Sequence, residues 1–259
     1  MPICTRVVSA VVMALFGSTL ALAQLGPPTD SARENMRERA RVPYRDGLEQ
    51  MRLEDLEGAG KSFEAAIRID PMFDMAHYML GRVHLATRKY TSAVYALSKA
   101  REVYISEANR EFGNKQEAQR HRRDRLAVID DRLLELRAIR PQTYPIGEEI
   151  RQLEERKRQI EDKGRAQDNN PATLVPAFVS LSLGSAYFRS GKLPEAERAY
   201  RDAIAADPKV GEAHNNLAVV YMETGRLDEA ERSIKAAEGT GFKVVPALKD
   251  EIKKRRGKT

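Results

Sequence analysis

The chain has 259 residues, 42% of them hydrophobic and 32% charged, with no Trp and a net charge of +6. That length allows one or two domains with a buried core, and the balance favours helices with large solvated faces over a compact β fold. The charge is too modest to nominate an acidic partner, and the lone cysteine, Cys4, excludes a disulfide framework.

The N-terminus reads as a targeting signal. Arg6 supplies the positive region, Val7 to Leu22 is an apolar run, and Ala21-Leu22-Ala23 has the form of a cleavage site before Gln24. The rival reading is a retained anchor, but a membrane span needs about 20 apolar residues. A lipoprotein signal would need Cys where Gln24 stands. The expectation is therefore an exported protein, periplasmic or secreted, whose signal is 1–23 and whose mature chain holds no cysteine.

Residues 24–39 open with Leu25-Gly26-Pro27-Pro28, a linker, and continue as a polar segment with Asp30 or Ser31 as a helix N-cap. A first pair of repeats follows over 40–107. Gly47, Ala59, Phe63 and Ala66 recur 34 residues later as Gly81, Ala93, Leu97 and Ala100. Pro43 and Asp46 predict a short, frayed first helix for the first repeat. No Asp-Pro stop follows Ala100. The chain instead runs into an insertion, 108–170, where Leu126, Ile129, Leu133 and Leu136 are spaced 3, 4, 3, as in a coiled coil. Beyond Pro141 and Pro145 a second arm carries Ile146, Ile150, Leu153 and Ile160, with Lys157 at the missing rung. The two arms predict an antiparallel hairpin projecting about 30 Å at 1.5 Å per residue. Over 101–165 the 16 basic and 14 acidic residues nearly cancel, which argues against a nucleic-acid surface.

The strongest signal lies in 171–244. Leu183, Gly184, Tyr187, Gly191, Leu193, Glu195, Ala196, Glu197, Arg198, Tyr200 and Ala203 recur 34 residues on. Their counterparts are Leu217, Ala218, Tyr221, Gly225, Leu227, Glu229, Ala230, Glu231, Arg232, Ile234 and Ala237. This period, with small residues where paired helices approach and Pro208 ending the second helix, resembles the tetratricopeptide repeat (TPR) family. The resemblance implies an all-α, TPR-type α-solenoid of about four repeats interrupted by the helical hairpin. Segment 245–259 would supply a capping helix, through Val245, Leu248 and Ile252, and a basic tail.

Little here nominates chemistry. His77, His84 and His214 fall inside repeat helices and read as packed rather than metal-binding, because no second ligand sits at i+4; His121 reads as solvated. The pairs Asp130-Asp131, Glu148-Glu149 and Glu154-Glu155 read as solvated faces with i, i+4 partners. No phosphate loop or nucleophile elbow is present. The expectation is no enzyme, no cofactor, no metal and no nucleic acid. The basic tail, Lys253 to Arg256, could touch anionic headgroups peripherally.

The TPR resemblance implies a concave groove lined by first helices. Carried onto this chain, the lining is Tyr44, Leu48 and Met51; Tyr78, Arg82 and Leu85; Phe178, Leu181, Ser185 and Phe188; and Asn215, Val219 and Met222. Such a lining suits a protein or peptide segment bearing apolar or aromatic groups. The family's clamp for chaperone C-termini is not matched: Leu181, Ser185 and Glu212 replace its Lys and Asn positions, and Asn216 alone fits. Two functions stay open, a non-catalytic exported scaffold and a spacer that self-assembles as a homo-oligomer through the hairpin. Whether the groove is free or filled by the chain's own N-terminal segment or hairpin is also open.

Overall fold

The computed structural model describes residues 29–108, 115–139, 144–161 and 175–257; the signal-like segment and the linker after it (1–28), three stretches around the insertion (109–114, 140–143 and 162–174) and the last two residues lie outside them. Among the described residues there are eleven helices and no strand. They are α1 (Asp30–Arg52), α2 (Leu56–Ile69), α3 (Asp74–Ala86), α4 (Tyr90–Ala108), α5 (Lys115–Ala138), α6 (Tyr144–Glu161), α7 (Ala177–Arg189), α8 (Leu193–Ala206), α9 (Gly211–Glu223), α10 (Leu227–Gly239) and α11 (Pro246–Arg256).

Four helix pairs, α1/α2, α3/α4, α7/α8 and α9/α10, make the repeats. In each second helix a small residue, a large one and a small one follow at i, i+4, i+7. These are Ala59, Phe63 and Ala66; Ala93, Leu97 and Ala100; Ala196, Tyr200 and Ala203; and Ala230, Ile234 and Ala237. All are buried, and the large residue sits over the small one on the first helix. A Cβ added at Gly47 would meet the Phe63 ring at 2.7 Å, at Gly81 the Leu97 side chain at 2.5 Å, and at Gly184 the Tyr200 ring at 2.6 Å. Ala218 fills the equivalent place in the fourth repeat and is fully buried.

The turns repeat as well. Gly191 and Gly225 end their first helices with φ of +75°, the left-handed turn in which glycine carries no Cβ penalty. Glu54 and Arg88 hold the same place in the first two repeats, at φ of 62° and 59°. After the second helix, Asp70 and Asp207 each accept a hydrogen bond from the backbone N–H two residues on, at 2.9 Å. His77 and His214 then reach the carbonyls of Pro71 and Pro208, at 2.9 and 3.2 Å. The histidines therefore brace the Asp-Pro turns.

The N-terminal part departs from expectation. α1 is one helix of 23 residues running through Pro43, not a short frayed one, so the polar segment and the first repeat form a continuous element. Its cap is Thr29, whose hydroxyl accepts from the Ala32 N–H, not Asp30 or Ser31 as expected. Arg37 explains the extension: it pairs with Asp70, donates to the Met72 carbonyl at 2.6 Å and lies 4.6 Å from the Phe73 ring centre. These contacts tie the polar part of α1 to the α2–α3 turn.

The insertion neither projects nor spaces the repeats. α4 packs directly on α7, as consecutive repeats do, and Arg101 of α4 reaches Asp202 of α8 at 3.3 Å. The superhelix is thus continuous across the insertion. α5 and α6 form an antiparallel pair, joined by Lys157–Asp130 at 2.6 Å and Arg137–Glu154 at 2.7 Å. The pair folds back so that α5 lies on α1 and α6 on α7. The physical reason is the seam: Ile129, Leu133, Leu136 and Leu153, with Val128, are buried in the same apolar cluster as Tyr44, Tyr78 and Phe178. At the far end Ile252 is buried and Leu248 partly so, but Val245 is exposed and Val244 packs in its stead.

Candidate partner-binding groove

The residues expected to line a groove fall on α1, α3, α7 and α9, and they divide into a buried and a half-buried set. Under the hairpin, Tyr44 is fully buried, with its ring 4.8 Å from Phe73 and 5.8 Å from Phe63. Leu48 is buried beside it and Met51 and Leu85 partly so. Tyr78 and Phe178 meet edge to face at 4.7 Å across α3 and α7. Arg82 lies 5.8 Å from the Tyr78 ring and pairs with Glu149 of α6 at 3.0 Å. Leu181, Ser185 and Phe188 on α7 and Asn215 and Val219 on α9 are half-buried, and Met222 is buried. Ser185 donates to the Leu181 carbonyl at 3.1 Å, and Asn215 donates to Asn216 at 3.3 Å.

The covered part is charged as well as aromatic. Arg132 of α5, only 2% exposed, donates to Glu149 at 2.7 Å and also pairs with Glu135. Burial by itself would lift the Glu149 carboxyl, but the Arg132 and Arg82 guanidiniums outweigh it and hold the group below the ordinary carboxylate range. Asp74, at the start of α3, is buried and takes Arg125 of α5 at 3.2 Å and Arg37 at 3.8 Å. Asp131 binds Arg41 at 2.9 Å and Arg45 at 3.0 Å on α1. Arg151 reaches Asp207 at 2.5 Å. Burial raises the Tyr78 phenol to about 12 and raises Tyr44 further. The Tyr44 hydroxyl is buried without a hydrogen-bond partner.

These pairs correct the reading of the acidic doublets. Asp131, Glu149 and Glu154 do not pair at i, i+4 along their own helices; they join separate elements. The sequence offered no sign of this, because Arg82 and Glu149 lie 67 positions apart. His121 is not solvated either: it meets the buried Glu107 carboxylate at 2.5 Å. Arg255 and Arg256 of the basic tail are engaged with Glu223 at 3.2 Å and Glu231 at 3.0 Å. Among the described residues no cluster of His, Cys, Asp and Glu is placed to hold a metal, and no helix is long and apolar enough to cross a membrane.

The family profile described as tetratricopeptide repeat matches residues 44–109 and 181–241, the two repeat pairs on either side of the hairpin. The chain is a TPR protein.

Among solved structures the TPR chain is similar to PilW, a type IV pilus biogenesis factor, at 19% identity, covering 84% of this chain and 86% of that one with a TM-score of 0.39. It is also similar to TTC0263, a thermophilic TPR protein of Thermus thermophilus, at 20% identity, 83% and 98% coverage and a TM-score of 0.33. A third is YrrB, described as a TPR protein with an unusual peptide-binding site, at 17% identity, 82% and 90% coverage and 0.28. No curated protein matches the sequence. Likeness at this level says nothing of what this chain binds. TPR proteins in general bind protein or peptide partners and are generally non-catalytic, and the repeat units here share that architecture.

Proposed function

We propose that this TPR protein is a non-catalytic interaction scaffold that acts outside the cytoplasm, after loss of residues 1–23, and binds a partner segment on the half-open wall of α7 and α9. The observation that carries the reading is the division of the groove. Leu181, Ser185, Phe188, Asn215 and Val219 are half-buried, whereas Tyr44, Leu48 and Tyr78 are buried and Arg82 pairs with Glu149 of the hairpin. An extended peptide with apolar side chains matches this wall, with Arg189 exposed at its edge.

Capture from an envelope extract with the immobilised chain, set against N215R/V219R, tests the site. The scaffold reading predicts a partner retained by the wild type and lost by the variant at unchanged melting temperature. Equal retention by both contradicts it. Export is read separately: sequencing of the protein recovered from cells should start at Gln24.

The alternative, a spacer that oligomerises through the hairpin, loses support from the burial of Ile129, Leu133, Leu136 and Leu153 within the same chain. Leu134, 74% exposed on α5, is what remains in its favour. Light scattering of the purified chain over a range of concentrations separates the two.

A further inference from the structure

We infer that the α5/α6 hairpin is a resident, displaceable occupant of the α1–α3–α7 groove, and that the site beneath it receives an amphipathic partner helix bearing an arginine one turn ahead of three apolar residues spaced four and three. The inference rests on the scaffold reading and extends it to the covered half of the wall.

Three observations carry it. First, the superhelix under the hairpin is complete without it. α4 meets α7 directly, Arg101 bridges to Asp202, and Tyr78 contacts Phe178 at 4.7 Å. Lifting the hairpin therefore breaks no repeat-to-repeat contact. Second, the apolar seam of the hairpin is joined by a set of ion pairs: Arg125–Asp74, Arg82–Glu149, Asp131 with Arg41 and Arg45, and Arg151–Asp207. Desolvation offsets much of what such pairs contribute when they are buried, and salt screens those nearer the surface. The closed state also leaves the Tyr44 hydroxyl buried and unpartnered, a group that a better-fitting occupant would satisfy.

Third, the occupant displays the recognition pattern. On α5, Arg125 meets Asp74, and Ile129, Leu133 and Leu136 enter the aromatic cluster at i+4, i+8 and i+11. Arg82, held by Glu149 in the closed state, would take a carboxylate of the partner in its place. An arginine-led apolar stripe with a carboxylate beside it is complementary to Asp74, the Tyr78–Phe178 pair and Arg82.

The test uses a fluorescein-labelled synthetic peptide of this chain's residues 119–139 as the probe helix. Three full-length proteins are compared in a Cys4→Ser background. They are the parent, a hairpin-released L133D/L136D variant, and R45C/D131C closed by a short bis-maleimide, which ties α5 to α1. The expected result is at least tenfold tighter probe binding by the released variant than by the parent, with none by the cross-linked protein. A probe carrying R125E should bind the released variant at least tenfold more weakly. Adding V219R should leave probe binding unchanged, which separates this site from the one on α9. Equal binding by all three proteins overturns the inference, as does absence of binding by a released variant that keeps its helical circular dichroism. A released variant that dimerises without taking up the probe assigns the groove to a second copy and overturns the partner-helix proposal. If L133D/L136D unfolds, hydrogen exchange of the parent decides. Amides of α5 and α6 exchanging at least tenfold faster than those of α7 to α10 support displaceability; matched rates overturn it.

Discussion

Glu54 and Arg88 stand in left-handed backbone at the sites where the third and fourth repeats place Gly191 and Gly225. An L side chain in that region costs about 1–2 kcal/mol through its Cβ, partly returned by the entropy glycine loses on folding. Glu54→Gly and Arg88→Gly should each raise stability by roughly 0.5–1 kcal/mol by these principles, read from urea melts; a loss would show that the side chains hold the turn. The missing glycines also explain why the first two repeats are fainter in sequence than the last two, although the same turn is built.

Glu149 sets a pH dependence at the same scale. Its folded pKa is lowered, so its contribution is present above the ordinary carboxylate pKa near 4.5 and is lost as pH falls through the folded value. The protection of α6 amides, relative to their intrinsic exchange rates, should therefore fall below pH 4.5 in the wild type, and the fall should shrink in E149Q. An unchanged acid profile in E149Q would remove Glu149 from the fastening. Arg132→Ala leaves that buried carboxylate without its nearest guanidinium and should cost about 3–5 kcal/mol.

At the scale of elements the chain was most legible where contact is local. The 34-residue period placed a small residue under a large one in every helix pair, and Gly47/Phe63, Gly81/Leu97 and Gly184/Tyr200 meet as that spacing implies. Gly184→Ala puts a Cβ 2.6 Å from the Tyr200 ring and should cost about 1–3 kcal/mol from overpacking. Combining it with Tyr200→Leu should recover part of that loss in a double-mutant cycle, whereas strict additivity would show that the two helices do not meet there. α1 was misread because Pro43 signals a break, while Arg37, bound to the α2–α3 turn, holds the helix through it. The seam of α5 was visible as a 3, 4, 3 stripe, but a stripe states only that one face is apolar. What that face meets depends on Tyr44, Tyr78 and Phe178, far away in sequence.

At the scale of the molecule the insertion is a loop of the superhelix that returns to pack on α1 and α7. Consecutive repeats stay in contact across it, so the chain keeps the one-dimensional packing of a solenoid with the hairpin packed against it. The apolar character of the α1 and α3 residues was readable from repeat position; their contact with the hairpin was not, because Arg82–Glu149 and Arg125–Asp74 join parts of the chain that no local period relates. The most direct measurement is the dipolar distance between spin labels at R45C and D131C in a Cys4→Ser background, taken in the free protein. A docked hairpin gives one narrow distribution under about 25 Å, since Arg45 and Asp131 pair across α1 and α5. A projecting arm, with α5 about 36 Å long at 1.5 Å per residue, would instead give a broad distribution extending past that length and would contradict the account.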